Sequence, residues 1–211
     1  MSNTIKIYTD GSCLGNPGRG GYAAILVNGD YYKEISQGFR HTTNNRMEFL
    51  AAIEALKLIK KKDKKIELYT DSNLLTNTIE KGWLRSWKAK GWKKADKKTP
   101  ENLDLLILLD EVINGLNLKV IWIKAHNGHP ENERCDELAK NAAGKAKLID
   151  EEYEKINPPQ NIPIQKETKS SEKSNNTKTK FEFINNELII TQGRKKLVLN
   201  SEEINNLKDI L

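Results

Sequence analysis

The spacing of apolar residues changes early in this chain, from the alternation of β-strands to the denser repeat of an α-helix. Segments 5–10 and 31–39 alternate as strands do, and residues 22–27 form a further strand between them. The glycine-rich stretch Gly11–Gly21 is predicted to be a loop, and Asn28-Gly29 has the composition of a hairpin turn. From Asn45 to about Lys61, apolar residues recur three and four positions apart, which predicts a helix. The fold therefore opens with three antiparallel strands followed by a helix.

The next part of the chain alternates helices with strands. It predicts a strand at 65–70, a helix from Ser72 to about Glu80, a helix near 101–114, a strand at 118–123 and a helix from about Pro130 to Ala146. Because crossovers between parallel strands are right-handed, the first, fourth and fifth strands should be parallel to one another. We therefore predict an α/β fold: a five-stranded mixed sheet, with three antiparallel strands and then parallel strands, flanked by helices.

Composition divides the chain into three parts. Residues 1–150 carry the pattern of one compact domain, and residues 151–180 are rich in Pro, Lys, Ser, Thr and Asn, which predicts a flexible linker. Residues 181–211 hold two short apolar segments, a strand pattern at 195–199 and a helix pattern at 201–211, which together predict a small ββα-like module. About 30 residues are few for an independent core, so a docked module and a disordered tail both stay open.

The positive charge of the chain is concentrated in one segment. The formal net charge is +6, yet residues 151–211 hold equal numbers of basic and acidic residues. Basic side chains neutralise phosphates and flat rings stack on sugars or bases, so a basic segment with tryptophans favours nucleic-acid contact. The alternative is a solvated charged helix whose tryptophans belong to the core. The segment 81–98 contains Lys81, Arg85, Lys88, Lys90, Lys93, Lys94, Lys97 and Lys98 against Asp96 alone, interleaved with Trp83, Trp87 and Trp92.

The sequence gives no sign of membrane insertion or of an oxidising compartment. No apolar run approaches the roughly 18 residues of a membrane span, and the first residues lack the pattern of a signal peptide. We therefore expect a cytoplasmic protein with no membrane contact. Cys13 and Cys135 lie far apart, which favours reduced thiols over a disulfide. A zinc site would also need His126 and His129, and these four residues lack paired-ligand spacing.

Four acidic residues lie close to the ends of predicted elements. Asp10 ends the first strand, Asp71 follows the fourth, Glu48 lies in the first turn of the first helix, and Asp136 lies near the start of the last helix. Each alone is explained as a turn or helix-start residue, but neighbouring parallel strands place Asp10 and Asp71 at one edge of the sheet. Carboxylates suit two divalent ions about 4 Å apart, an arrangement that hydrolyses phosphodiesters. The sequence thus predicts a metal site.

Four motifs that contain these acids occur along the chain in a fixed order. They are Thr9 to Ser12 (TDGS), Thr42 to Glu48 (TTNNRME), Thr70 to Ser72 (TDS) and His126 to Asp136 (HNGHPENERCD). With them, roughly residues 4–146 resemble bacterial ribonuclease HI, the type 1 ribonuclease H family. The resemblance implies a ribonuclease H-like fold.

The resemblance also implies an activity and a cofactor. It implies an endonuclease that hydrolyses the RNA strand of RNA/DNA hybrids to 5′-phosphate and 3′-hydroxyl ends by a two-metal-ion mechanism. Asp10, Glu48, Asp71 and Asp136 match the family's metal-binding carboxylates, with Mg²⁺ the usual ion and Mn²⁺ a substitute. His126 matches a mobile-loop histidine that assists proton transfer or product departure, because its pKa lies near working pH. Taken alone, His126 would be read as an ordinary surface histidine.

Selection of a hybrid requires contacts that sense the 2′-OH of one strand and the deoxyribose of the other. By resemblance, the backbone of Cys13 and three asparagines make these contacts, Thr43 belongs to a phosphate pocket, and the basic segment grips the DNA strand. Asn73 and Ser86 stand where close relatives have Gln and Asn, which leaves the contacts there open. The substrate contacts implied are Cys13, Asn16, Thr43, Asn44, Asn45, Asn73, Trp83, Trp87, Lys88, Lys90 and Trp92.

Two other functions fit parts of the sequence. A non-catalytic hybrid-binding or scaffold protein would use the same fold, although the intact carboxylate set argues against it. A related nuclease of the same fold would act on another duplex substrate. We expect the catalytic domain to be monomeric, and the C-terminal module, which adds no net charge, to dock or to bind a protein partner rather than nucleic acid.

Overall fold

The chain was obtained as a computed structural model that divides into two compact units, Met1–Ile162 and Pro163–Leu211. The structure describes residues 4–60, 62–125, 127–159, 179–184, 187–192 and 195–199.

The described part of the first unit alternates strands and helices largely as the sequence predicts. The elements are β1 (Thr4–Leu14), β2 (Gly18–Asn28), β3 (Tyr31–Thr42), α1 (Asn44–Lys57), β4 (Lys65–Thr70), α2 (Asn73–Glu80), α3 (Trp83–Ala89), α4 (Leu103–Ile113), β5 (Asn117–Trp122), α5 (Pro130–Gly144) and α6 (Glu151–Ile156). The sheet has the strand order β3-β2-β1-β4-β5. This confirms the predicted α/β fold with a five-stranded mixed sheet.

The pairing register brings the ends of two strands to one edge of the sheet. Strand β1 is antiparallel to β2 and parallel to β4, and Tyr8 is paired with Tyr69. The two tyrosine rings stack with their centroids 4.8 Å apart. Since Asp10 and Asp71 each follow these tyrosines by two positions, both acids reach the same edge, as the crossover rule predicts.

Alternation along the strands divides the core between the two faces of the sheet. On one face, Ile7 packs in a cluster with side chains of α1, α2 and α4, among them Ile53 and Leu106. On the other face, Ile25 packs with Cys135 and Ala139 of α5. Successive strand residues point to opposite faces, so a strand buried on both faces reads as a nearly continuous apolar run.

The segment Gly11–Gly21 was predicted as a loop, and that prediction is wrong. Strand β1 continues to Leu14 and β2 begins at Gly18, so only three residues connect them. The glycines in this segment serve close packing of neighbouring elements. A Cβ at Gly11 would collide with the backbone at Met47 and Glu48 of α1, and a Cβ at Gly21 would collide with the backbone of α5.

Two helices add to the predicted elements, one of them in the basic segment, where a charged helix was the alternative interpretation. Helix α3 falls in the basic segment, where glycines and lysines obscure helical periodicity. Helix α6 covers the first six residues of the segment predicted as a linker, which corrects the start of that linker. Asp150 caps α6 by accepting a hydrogen bond from the backbone N–H of Tyr153. No helix that the structure describes is both long and apolar enough to cross a membrane.

The second unit contains an antiparallel sheet of β6 (Thr179–Ile184), β7 (Glu187–Gln192) and β8 (Lys195–Leu199). The strand pattern at 195–199 corresponds to β8, so the described part of the predicted ββα-like module has three strands. The helix predicted at 201–211 and most of the predicted linker lie outside the described residues.

Close packing of α5 on the sheet predicts an asymmetric response to two glycine substitutions. A Cβ at Gly38 of β3 would collide with the backbone carbonyl of Ala142, whereas a Cβ at Gly144 meets nothing within 4 Å. Gly38→Ala should therefore lower the free energy of unfolding by about 1–3 kcal/mol. The matched control Gly144→Ala should change it by no more than about 0.5 kcal/mol, or raise it slightly. Urea denaturation measures both values, and equal effects would contradict the packing described.

Candidate active site

Four different elements carry the four predicted carboxylates. Asp10 belongs to β1, Asp71 directly follows β4, and Asp136 belongs to α5. Glu48 is the fifth residue of α1, because the helix begins at Asn44 with Thr43 as its N-cap. Glu48 thus lies just beyond the first turn to which the sequence pattern assigned it.

Burial and the charges of neighbouring acids both act on the carboxyl group of Asp10. Asp10 is only 9% exposed. Burial raises the pKa of its carboxyl group to about 8, with further contributions from the charges of Asp71, Asp136 and, more weakly, Glu48. The backbone N–H of Gly11 donates to Oδ1 over 2.7 Å and opposes this shift. All four acids therefore share one electrostatic environment centred on Asp10.

Two polar side chains hold Glu48 in place. Its Oε1 accepts a hydrogen bond from Asn44 Nδ2 over 2.8 Å, and its Oε2 accepts one from Ser72 Oγ. Ser72 is also the N-cap of α2, where Oγ accepts from the Leu75 N–H. Burial raises the pKa of Glu48, as does Asp71, against the lowering by Ser72 and Asn44. The two hydrogen bonds fix the direction of a carboxylate that burial would otherwise destabilise.

Three residues support the carboxylates in ways that the sequence analysis missed. Besides Ser72, Lys140 donates to Asp136 Oδ2 over 2.6 Å, and the indole N–H of Trp122 donates to the backbone carbonyl of Asp71 over 3.1 Å. The i,i+4 spacing of Asp136 and Lys140 was visible in the sequence. The contact of Trp122 was not, because it depends on the pairing of β5 with β4.

The chemistry of the four side chains fits hard divalent cations, which prefer oxygen ligands. In the side-chain conformations of this structure, no group of three or more His, Cys, Asp or Glu side chains among the described residues could hold a metal ion. Glu48 instead accepts hydrogen bonds from Asn44 and Ser72, and Asp136 pairs with Lys140. A cation would offset both the burial and the neighbouring charges that raise the pKa of Asp10, so the chemistry of these residues fits such an ion.

The histidine and cysteine predictions have different outcomes. His126 lies outside the described residues, and its predicted role stays a prediction. His129 is the N-cap residue of α5. Both cysteines are free thiols, as predicted: Cys135 Sγ donates to the Tyr8 carbonyl over 3.3 Å, and Cys13 Sγ lies 3.5 Å from the Thr42 carbonyl oxygen.

Several of the residues implied as substrate contacts border the carboxylates. The backbone N–H of Asn44 donates to Asn16 Oδ1 over 3.1 Å, and Asn16 precedes Pro17 through a cis peptide bond. Thr43 Oγ1 accepts from the Arg46 N–H at the start of α1. Asn45 is exposed beside them. This polar turn adjoins Glu48, so a strand bound along it would pass close to the acids.

In the basic segment, some tryptophan rings pack against the core while other side chains are exposed to solvent. Trp87 and Trp92 are partly buried and pack against the main core, which supports the core interpretation for these two rings. Trp83 is 37% exposed, and its ring centroid lies 5.8 Å from that of Trp87. Lys88 pairs with Asp110 over 2.5 Å, while Lys90 is exposed. Asn73, the first residue of α2, is also exposed.

The raised pKa of Asp10 predicts how stability depends on pH when divalent cations are removed. The folded-state pKa of about 8 exceeds the ordinary aspartate pKa of 3.8, so the native state binds an extra proton between these two pH values. The free energy of unfolding should therefore fall as pH rises from about 4 to about 8, by up to roughly 1.4 kcal/mol for each pKa unit. Asp10→Asn should remove this loss and be the more stable protein above neutral pH.

Urea denaturation in EDTA at several pH values tests this dependence on Asp10. Asp30→Asn is the matched control, because Asp30 is exposed in the turn after β2. It should keep the pH dependence of the unsubstituted chain. Identical pH dependence in Asp10→Asn and the unsubstituted chain would contradict the electrostatic description of the site.

Comparison with known proteins places this geometry in a family. The RNase H family model matches residues 2–144. The chain is 52% identical to a ribonuclease H of Pseudoalteromonas atlantica over 151 residues, which is 71% of this chain and 97% of that protein. It is 49% identical to a ribonuclease H of Desulforamulus reducens, with 68% of this chain and 90% of that protein covered.

Solved structures show the same relationship. The chain resembles LC9-RNase H1, a type 1 RNase H with the type 2 active-site motif, with a TM-score of 0.60, 30% identity and coverage of 74% and 81% of the two chains. It also resembles RNase H1 of the archaeon Halobacterium salinarum, with a TM-score of 0.51, 26% identity and coverage of 68% and 99%. Ribonucleases H are metal-dependent hydrolytic nucleases. The fold, the four motifs and these relatives together establish that the chain belongs to the ribonuclease H family.

Proposed function

We propose that this protein is an endonuclease that hydrolyses the RNA strand of RNA/DNA hybrids and leaves 5′-phosphate and 3′-hydroxyl ends. The observation that carries the proposal is the electrostatic coupling of Asp10 to Asp71, Asp136 and Glu48 at one edge of the sheet. An oxygen-only cluster of this charge suits cations that neutralise a phosphodiester. Membership of the ribonuclease H family supports the choice of reaction.

The cofactor of this reaction is Mg²⁺, with two ions engaged during catalysis and Mn²⁺ as a possible substitute. Asp10, Glu48, Asp71 and Asp136 would hold the ions. When bound, such ions lower the pKa of water to give a hydroxide nucleophile and neutralise charge on the phosphate. The choice of Mg²⁺ follows from hard carboxylate ligands and from the family resemblance.

The chain's own residues prepare this site by orienting and balancing charge. Asn44 and Ser72 hold the two oxygens of Glu48. Lys140 balances the charge of Asp136, as its ammonium group lies within 2.6 Å of Oδ2. His126, by resemblance, assists proton transfer or product departure, a role suited to imidazole.

Two surfaces would bind the hybrid. The polar turn of Asn16, Thr43, Asn44 and Asn45, with the backbone of Cys13, would contact the 2′-OH groups and a phosphate near the acids. The basic segment would grip the DNA strand through the exposed Lys90, with Lys88 and the ring of Trp83 as further contacts. Packing of Trp87 and Trp92 on the core supports their role as the base of this surface, with exposed lysines above. Asn73, exposed at the start of α2, would extend the contact.

Loss of one carboxylate should stop the reaction without preventing hybrid binding. Asp10→Asn should lower cleavage of a labelled RNA/DNA hybrid by at least about 1,000-fold, as removal of charge from a metal-assisted site demands. Its Kd for the hybrid should stay within about threefold of the unsubstituted chain, because the polar turn and the basic segment are intact. Asp30→Asn is the control and should cleave normally. Turnover by Asp10→Asn at the unsubstituted rate would sink the assignment of the site.

A panel of duplexes separates this function from its alternatives. Cleavage of the hybrid with Mg²⁺, none with EDTA and none of duplex DNA or duplex RNA is the expected pattern. Cleavage of duplex DNA would favour the related nuclease, and tight binding without any cleavage would favour the scaffold protein. We place the reaction in the cytoplasm, a location supported by two free thiols, which are common in reducing compartments.

We propose a docking or partner-binding role for the C-terminal module and a monomeric catalytic domain. The strand register puts Phe181 level with Ile190 and Leu197. Residues 151–211 add no net charge, which gives little electrostatic reason to bind nucleic acid.

Light scattering tests this role by comparing the full chain with residues 1–162, where the first unit ends. A larger mass for the full chain alone, rising with concentration, is expected if the module docks on a second copy. An added partner that binds only the full chain would equally support docking. If both proteins are monomers with equal activity and stability, and no partner distinguishes them, the module has no such role.

A further inference from the structure

Helix α6 and the residue that caps it lie beyond position 144, where the match to the family model ends. Asp150 is nevertheless, with Asp10, one of two buried acids among the residues whose burial the structure describes, with 5% exposure. A buried carboxylate is costly unless it is paired and hydrogen-bonded. Its partners therefore indicate what the end of this unit contributes.

The carboxylate of Asp150 joins three elements. Its Oδ2 accepts from Thr42 Oγ1 and from Arg46 Nε, each over 2.7 Å. Its Oδ1 accepts from Arg46 Nη2 over 2.8 Å and from the Tyr153 N–H over 3.4 Å. The side chain of Asp150 thus binds three elements: the end of β3, the first turn of α1 and the start of α6.

The hydrogen bond to Thr42 reaches the polar turn directly. Thr42 is fully buried and precedes Thr43 and Asn44, the first residues of that turn. Its carbonyl oxygen lies 3.5 Å from Cys13 Sγ, and Asn44 binds Asn16 in turn. The orientation of Thr42 therefore affects both sides of the surface where we place the 2′-OH contacts.

Helix α6 is also held against β3 and α1 by contacts that do not involve the hydrogen bond between Asp150 and Thr42. Glu154 accepts two-pronged hydrogen bonds from Arg40 of β3, the shortest over 2.7 Å. The ring of Tyr153 lies against His41, with centroids 5.4 Å apart, and Arg46 lies 5.7 Å from the centroid of the same ring. Bidentate Arg–carboxylate pairs restrict geometry as well as adding energy.

The same helix borders the cavity into which the polar turn opens. That cavity has a volume of about 790 Å³. Asn16, Thr43 and Asn45 line one side, and Tyr153 and Asn157 line another. Helix α6 thus lies beside the proposed path of the hybrid, although no atom of Asp150 lines the cavity.

We propose that Asp150 and Thr42 form a positioning pair, in which the Oγ1–Oδ2 hydrogen bond fixes the polar turn in the orientation that senses the 2′-OH. The inference rests on the proposed function. Neither residue touches substrate: the pair acts through Thr43 and Asn44. A wrongly oriented turn weakens binding of the hybrid in the ground state and the transition state alike, which raises KM and leaves kcat unchanged.

Removal of the hydroxyl group isolates this effect from the buried ion pair. Thr42→Val has the same shape but cannot donate to Asp150, whereas the Arg46 contacts remain. Loss of one such hydrogen bond should raise KM for the hybrid about fivefold, with kcat within twofold. Thr42→Ser keeps the donor and should restore KM. Should Thr42→Val fail to fold, Thr42→Ala, which fits the same space, takes its place.

A second substrate supplies a readout that a change in stability alone would not move. The second substrate is a short hybrid with one 2′-deoxy residue beside the cleaved bond, and kcat/KM for it is compared with kcat/KM for the all-RNA hybrid. This 2′-deoxy penalty should be about threefold or more larger for the unsubstituted chain than for Thr42→Val, because the variant has already weakened the contact with the 2′-OH. Glu154→Gln is the matched control. It loosens α6 without touching Thr42 and should behave like the unsubstituted chain toward both substrates.

The outcomes separate the inference from the function on which it rests. If Thr42→Val shows the KM and the 2′-deoxy penalty of the unsubstituted chain, or if Glu154→Gln shifts both values as much as Thr42→Val, the positioning role is overturned and Asp150 serves stability alone. If the unsubstituted chain cleaves no hybrid, the proposed function itself fails. Measurements well below the thermal midpoint of each variant, with circular dichroism as a check, keep these results free of unfolding.

Discussion

Burial of an acidic side chain among other carboxylates at one edge of the sheet is the constraint on which the rest of the site depends. Asp10 is buried beside three other acids, and its pKa of about 8 records the cost. The donors around it oppose that cost: Gly11 to Asp10, Asn44 and Ser72 to Glu48, and Lys140 to Asp136. A cluster held together against its own charge is poised to bind cations.

Glycines at the points of closest contact let the helices pack against the strands, and this packing holds the acids close together. Gly11 allows α1 to lie against β1, and Gly21 and Gly38 allow α5 to lie against β2 and β3. Close approach fixes the backbone beneath Glu48 and Asp136. The packing of α1 and α5 on the sheet thus offsets the stability that is lost by burying the carboxylates close together.

The sequence was informative where a local pattern carries the structure, and less so where contacts between distant residues decide it. Alternation and right-handed crossovers were enough to place Asp10 and Asp71 together. The glycines after Asp10 were misread as a loop, because close packing and turn formation favour the same residue. The roles of Trp122 and Asp150 were not foreseen, since they depend on partners 51 and 108 positions away. Glu48 was recognised from its motif, but the hydrogen bond from Ser72 required the fold.

The central claim is that Asp10 lies within a repulsive carboxylate cluster that a divalent cation relieves. A ¹³C NMR titration of the Asp10 carboxyl group, with and without saturating Mg²⁺, measures this directly. The account predicts a midpoint near pH 8 in EDTA and a midpoint several pH units lower with Mg²⁺. A midpoint near 4 under both conditions, the value of an ordinary exposed aspartate, would contradict it.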